Sequence, residues 1–154
     1  MQRRYYGYAD FIADLKALAN RLKTERIDCL IAVSRGGLTI AHFLAMALNA
    51  RNVALIRAVS YADREKLSAP KIENAPDLSA VEYALIADEI IDSGETMKAV
   101  LKALSVRYPK TTFKTAVLFQ KPSASIRADF FARESEEWID FFWEIDPICD
   151  KVSV

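Results

Sequence analysis

Asp88 and Glu89 follow an apolar run, Ala84-Leu85-Ile86-Ala87, and precede Ile90-Ile91 and then Asp92-Ser93-Gly94-Glu95-Thr96. Paired carboxylates at the carboxyl end of a strand can accept hydrogen bonds from the hydroxyls of a sugar. A small, hydroxyl-rich turn leading into a helix offers backbone N–H groups and side-chain hydroxyls to a phosphate. A sugar beside a phosphate makes a nucleotide-like ligand. A second turn of similar character, Ser34-Arg35-Gly36-Gly37, follows another apolar run, Cys29 to Val33. The chain has 4 glycines, and Gly36, Gly37 and Gly94 all fall in these turns, where backbone must bend sharply or approach a ligand closely. Gly7 is read as an N-terminal turn.

The order apolar strand, two acidic residues, two apolar residues, Asp-Ser-Gly-x-Thr resembles the 5-phosphoribosyl 1-pyrophosphate (PRPP) signature of the type I phosphoribosyltransferases. The resemblance implies that Asp88 and Glu89 face the ribose hydroxyls, and that the loop of Asp92, Ser93, Gly94, Glu95 and Thr96 holds the 5′-phosphate. It makes Asp92 the catalytic residue, beside N7 of a purine, where a carboxylate can exchange a proton and oppose positive charge. Ser34, Arg35, Gly36 and Gly37 match the loop that holds the departing pyrophosphate. Ser60, Tyr61 and Arg64 match the start of a mobile loop, residues 60–79, that closes over PRPP and excludes water. Glu95 departs from the pattern, since an acidic side chain there would repel phosphate, and it is expected to point outward.

Tyr108-Pro109-Lys110, Lys121-Pro122 and Trp138-Ile139-Asp140 resemble the xanthine-guanine members of that family. Lys121, Trp138 and Ile139 would then form the base pocket. Lysine has only donors, so Lys121 suits the 6-oxo group of guanine, xanthine or hypoxanthine and gains nothing from the 6-amino group of adenine. The resemblance implies transfer of the phosphoribosyl group from PRPP to N9 of such a base, releasing pyrophosphate. It also implies Mg²⁺ as cofactor, arriving with PRPP and meeting Asp88 and Glu89 mostly through water and substrate. A homodimer or homotetramer is implied too. Two alternatives share the fold: a non-catalytic sensor of PRPP or nucleotides, and a phosphoribosyltransferase for another base.

These residues need a scaffold. Asp10 is read as the cap of a first helix carrying Phe11, Leu15, Leu18 and Leu22 on one face. Strands follow at Cys29–Val33, Val53–Val59, Tyr83–Ala87 and Thr112–Phe119, with helices over about 38–48 and 96–106 between them. Residues 60–79 show no apolar period, contain Pro70 and Pro76, and read as a long loop. Alternating strands and helices predict an α/β fold, a mostly parallel central sheet flanked by helices, with ligands beyond the strands' carboxyl ends. The whole chain, 1–154, is read as a single phosphoribosyltransferase domain with a small C-terminal hood over about 120–150. His42, at helical spacing among Ile40, Phe43, Leu44 and Met46, is read as packing or capping.

Composition removes other classes. Lys and Arg number 21 and Asp and Glu number 21, which leaves no basic footprint for a nucleic acid. No apolar stretch approaches the roughly 20 residues that span a bilayer, and no signal-like segment opens the chain, so no membrane partner and a cytoplasmic location are expected. Cys29 and Cys149 have neither metal-ligand nor CxxC spacing and are expected to be inert thiols.

Overall fold

The structure is a computed structural model that describes residues 2–62 and 65–145, without the side chains of 60–62, 65–68 and 145. Arg64, Cys149 and the far end of the expected hood lie outside the described residues. The chain runs β1 (Arg3–Tyr6), α1 (Tyr8–Leu22), β2 (Cys29–Ser34), α2 (Gly37–Ala47), β3 (Val53–Ala62), β4 (Glu65–Glu73), β5 (Tyr83–Ile91), α3 (Glu95–Arg107), β6 (Thr112–Gln120), β7 (Phe130–Glu134), β8 (Trp138–Phe141) and α4 (Phe142–Ile145). A six-stranded sheet has the order β4-β3-β2-β5-β6-β7, and β1 and β8 form a separate two-stranded sheet. Only β4 runs antiparallel in the large sheet.

The unbroken apolar runs of β2 and β5 follow from burial on both faces. Leu30, Ala32, Leu85 and Ala87 pack in one cluster with Phe11, Leu15 and Leu18 of α1 and Ile40 and Leu44 of α2. Ile31, Val33 and Ile86 point the other way, to Met97, Val100 and Leu104 of α3. Alternation along each strand thus divides the core into two layers, as the predicted α/β arrangement requires.

Several expectations need correction. Residues 65–73 are strand, not loop: β3 and β4 form an antiparallel hairpin, with Arg57 opposite Glu73 and an irregularity between Val59 and Tyr61. An edge strand tolerates charges and proline, so Lys71, Glu73 and Pro70 erased the alternation a strand is usually found by. β5 continues through Ile91, which places Asp88 and Glu89 inside the strand rather than past it. Asp10 is not a cap. Gly7 holds that position, without a side-chain cap, and Asp10 sits in the first turn, paired with Arg133 at 3.1 Å. Phe130 to Ala132 belong to β7, the edge of the large sheet, so the hood consists of β1, β8 and α4. β1 was not foreseen, being a short strand that opens with two arginines. Among the described residues, no helix is long and apolar enough to cross a membrane.

Candidate active site

Strands β2 and β5 lie side by side, with Ala32 in register with Ala87, so the turns that leave them open at the same end of the sheet. Their contact is made through glycine. A Cβ on Gly37 would stand 2.3 Å from the Ala87 carbonyl oxygen and 3.1 Å from Asp88 Cα. One on Gly36 would stand 2.3 Å from Oε1 of Glu89. No side chain fits between the turns, which brings Ser34-Arg35-Gly36-Gly37 against the acidic pair. The Ser34–Arg35 peptide is cis, and Arg35 is exposed.

The acidic pair is half-buried. Burial, and then the neighbouring Glu89 carboxylate, push the Asp88 carboxyl up to about 8, although its Oδ1 accepts the Glu89 N–H at 2.8 Å. Burial and then Glu144 push Glu89 up to about 7, opposed by the indole N–H of Trp143, which donates to Oε2 at 3.2 Å, and by the Arg35 charge. Carboxyls this reluctant to ionise alone are suited to partners that compensate them: sugar hydroxyls and a cation. No cage of three or more metal-ligating side chains exists among the described residues. A Mg²⁺ that keeps its waters and takes substrate oxygens needs only one or two carboxylates, so the residues present fit that ion.

Beyond β5 the chain turns through Ser93 and Gly94, whose φ of +93° is left-handed and favours glycine. The Ser93 carbonyl is clamped by the Ser125 N–H at 2.9 Å and the Ser125 hydroxyl at 2.7 Å. A cavity of about 200 Å³ opens here, lined by Asp88, Asp92, Ser93, Gly94 and Thr96 at the start of α3. Glu95 does not line this cavity; its carboxylate pairs with Lys98 at 3.7 Å, which matches its expected outward orientation.

A second cavity, about 160 Å³, adjoins the first across Asp92. Lys121, Trp138 and Ile139 line it together with Glu89, Asp92, Phe141 and Glu144. The Lys121 ammonium pairs with Asp92 Oδ1 at 2.6 Å; the Lys121 side chain is 13% exposed and that of Asp92 59%. Ile139 is buried and Trp138 is 48% exposed, leaving an indole surface free at the rim. Lys121, Trp138 and Ile139, the residues expected to form a base pocket, are therefore brought together. Tyr108-Pro109-Lys110 lies at the opposite end of the sheet, where β5 and β6 begin, and lines a different cavity with Ser79 and Tyr83. Asp140 pairs with Arg3 across the small sheet.

Ser60 and Tyr61 lie near the end of β3, their side chains outside the described set. Sequence reasoning missed Phe141, Trp143 and Glu144. Their signal was the aromatic run Trp138 to Trp143, in which nothing in the spacing separates a site residue from packing.

A family model described as phosphoribosyl transferase domain matches residues 8–151. The xanthine-guanine phosphoribosyltransferase of Idiomarina loihiensis is 34% identical over 149 residues, covering 90% of this chain and 88% of that protein. Its counterpart in Chromohalobacter salexigens is 27% identical, covering 90% of this chain and 85% of that one. Among solved structures, the xanthine-guanine-hypoxanthine phosphoribosyltransferase of Helicobacter pylori has a TM-score of 0.85 at 40% identity, over 94% of this chain and 96% of that one. A purine phosphoribosyltransferase from Pyrococcus horikoshii has a TM-score of 0.80 at 27% identity, over 98% and 100%.

Proposed function

We infer the division of labour in the site from one premise: the chain belongs to the phosphoribosyl transferase family. It is a pentosyltransferase of purine salvage that moves the phosphoribosyl group of PRPP to a 6-oxopurine, giving the nucleoside 5′-monophosphate and pyrophosphate. The observation that carries the assignment of residues is the Lys121–Asp92 pair, whose aspartate lines both cavities. Such a pair can meet adjacent atoms of one base, with the ammonium donating to O6 and the carboxylate facing N7.

In this reading the amides of Ser93 to Thr96 hold the 5′-phosphate in the 200 Å³ cavity, where the left-handed Gly94 bends the loop into the start of α3. Asp88 and Glu89 take the ribose hydroxyls. Arg35 and the amides of Gly36 and Gly37 take the pyrophosphate, which the glycine contact keeps within reach of the ribose. Trp138 covers the base while Ile139 supports it from the core. N9 then attacks C1′ as the bond to pyrophosphate breaks, and Asp92 opposes positive charge on the purine and manages its proton. Most of the acceleration comes from holding the reactants in line.

The family is generally Mg²⁺-dependent, and Asp88 and Glu89 would hold the ion largely through water and ribose oxygens. Bound there, it would neutralise charge on the leaving pyrophosphate. The hairpin end carrying Ser60, Tyr61 and Arg64 is assigned the lid, residues 1–154 a single functional domain, and a homodimer or homotetramer the working assembly.

The test is pyrophosphate release from PRPP and Mg²⁺ with guanine, xanthine, hypoxanthine, adenine or uracil offered singly, beside a control without base. Release confined to the oxopurines is expected. Saturable PRPP binding without release for any base would instead indicate a sensor, and release with adenine or uracil a transferase of other specificity.

A further inference from the structure

The indole of Trp143 is fixed by aromatic neighbours. Phe141 stacks on it at 4.7 Å, and Phe142 and Phe11 meet it edge-on at 4.9 and 5.5 Å. A ring held in this way has one direction left for its N–H, and a partly buried indole N–H takes a polar partner. That partner is Oε2 of Glu89, at 3.2 Å. The other oxygen, Oε1, faces the pyrophosphate turn, close enough to exclude a Cβ from Gly36. Glu89 thus spans from the hood to the turn that follows β2, with one oxygen engaged by the indole and one directed toward the diphosphate side.

We propose that Trp143 is a positioning residue for PRPP: its indole N–H holds one oxygen of Glu89 so that the other is presented to the ribose beside the Gly36 turn. This rests on the reading of Glu89 as a ribose-facing carboxylate. The role differs from that of Trp138, which lies on the base side with its ring half exposed. Trp143 acts on the other substrate, through a carboxylate. The hood therefore contributes to PRPP binding before any base arrives. An unrestrained glutamate would have to lose side-chain freedom when the ribose binds, whereas here the indole has already removed it.

The test compares the wild-type chain with Trp143→Phe, which keeps an aromatic ring and lacks the donor. PRPP binding in Mg²⁺ is measured by calorimetry, and KM is measured for both substrates. Trp143→Phe is expected to bind PRPP about tenfold more weakly, the order expected when a hydrogen bond to a charged group is lost. KM for guanine should change by much less than PRPP affinity, since Lys121, Asp92 and Trp138 are untouched. In a Glu89→Met background, which leaves the indole no oxygen acceptor, the Trp143 substitution should add little further loss. Equal weakening for both substrates, unchanged PRPP binding, or additive losses in the double variant would overturn the proposal.

The chain has 2 tryptophans, so the wild-type indole ¹H–¹⁵N spectrum offers a readout independent of whether Trp143→Phe folds. The Trp143 signal, assigned with Trp138→Phe, should move in Glu89→Gln while that of Trp138 stays; a Trp143 signal indifferent to Glu89 removes the contact and the proposal. A wild-type chain that binds no PRPP removes the functional reading and this inference together. Wild-type binding matched by Trp143→Phe removes the inference alone.

Discussion

Lys121 and Asp92 stand 2.6 Å apart, joined as an ion pair beside the two cavities that Asp92 lines. The proposed reader of O6 and the proposed proton carrier at N7 are therefore partners before a base enters. An incoming oxopurine supplies an acceptor to the lysine and a ring edge to the carboxylate, so it can replace the contact it disturbs.

Asp92→Asn should lower kcat by about 100-fold or more, the usual scale for loss of a general acid–base group, while leaving PRPP affinity largely intact. Single-turnover rates and calorimetric PRPP binding measured together would check this. Unchanged turnover would take Asp92 out of the chemistry.

Lys121→Gln replaces a group that only donates with an amide that also accepts. Its kcat/KM for guanine and hypoxanthine should fall by about tenfold or more, with any change for adenine smaller or opposite in sign. A base-panel assay reads the ratio, and equal losses for every base would show that Lys121 does not discriminate at C6.

The acidic pair should make the ligand-free protein less stable as pH rises. Asp88 ordinarily ionises near 3.8 and Glu89 near 4.5, but in the fold they hold their protons to about 8 and about 7. Between those limits the unfolded chain binds fewer protons than the folded one, so unfolding free energy falls as pH increases; below about pH 4 the effect vanishes. Asp88→Asn removes one titrating group, and should raise the melting temperature at pH 8 relative to pH 5 by at least roughly 3 °C, about 1 kcal/mol, while weakening PRPP binding. Melting curves at both pH values decide. An identical difference between variant and wild type at each would mean that Asp88 is ionised in the fold.

Gly36→Ala and Gly37→Ala should fail differently. At Gly36 the obstacle is the Glu89 side chain, which can yield only by leaving the Trp143 indole, so the variant should fold and lose PRPP affinity. At Gly37 the obstacle is the β5 backbone, which cannot, and a loss of about 1–3 kcal/mol in stability is expected from overpacking. Denaturant titration alongside PRPP binding separates the two, and equal stability losses would show that β5 yields as readily as a side chain.

Much of this site was legible because its chemistry is local in sequence. Asp88 to Thr96 carry strand end, carboxylates, turn and helix start within one segment, and the structure places Asp88, Asp92, Ser93, Gly94 and Thr96 around one cavity. What escaped reading depends on contacts between distant residues. Trp143 meets Glu89 across an interval of 54 residues, and a sequence pattern cannot tell that indole from any other packing aromatic. β4 escaped because charges and a proline suit a sheet edge as well as a loop.

The pairing of β1 with β8 joins Arg3 to Trp138 and Tyr6 to Phe141. β1 must wait for β8, the last described strand, before it has a neighbour. Loop closure over so long a span is slow, so the central sheet can consolidate while the hood is still unassembled. Along the biosynthetic time axis, the two glycine turns that would hold PRPP exist before the hood that would cover the base.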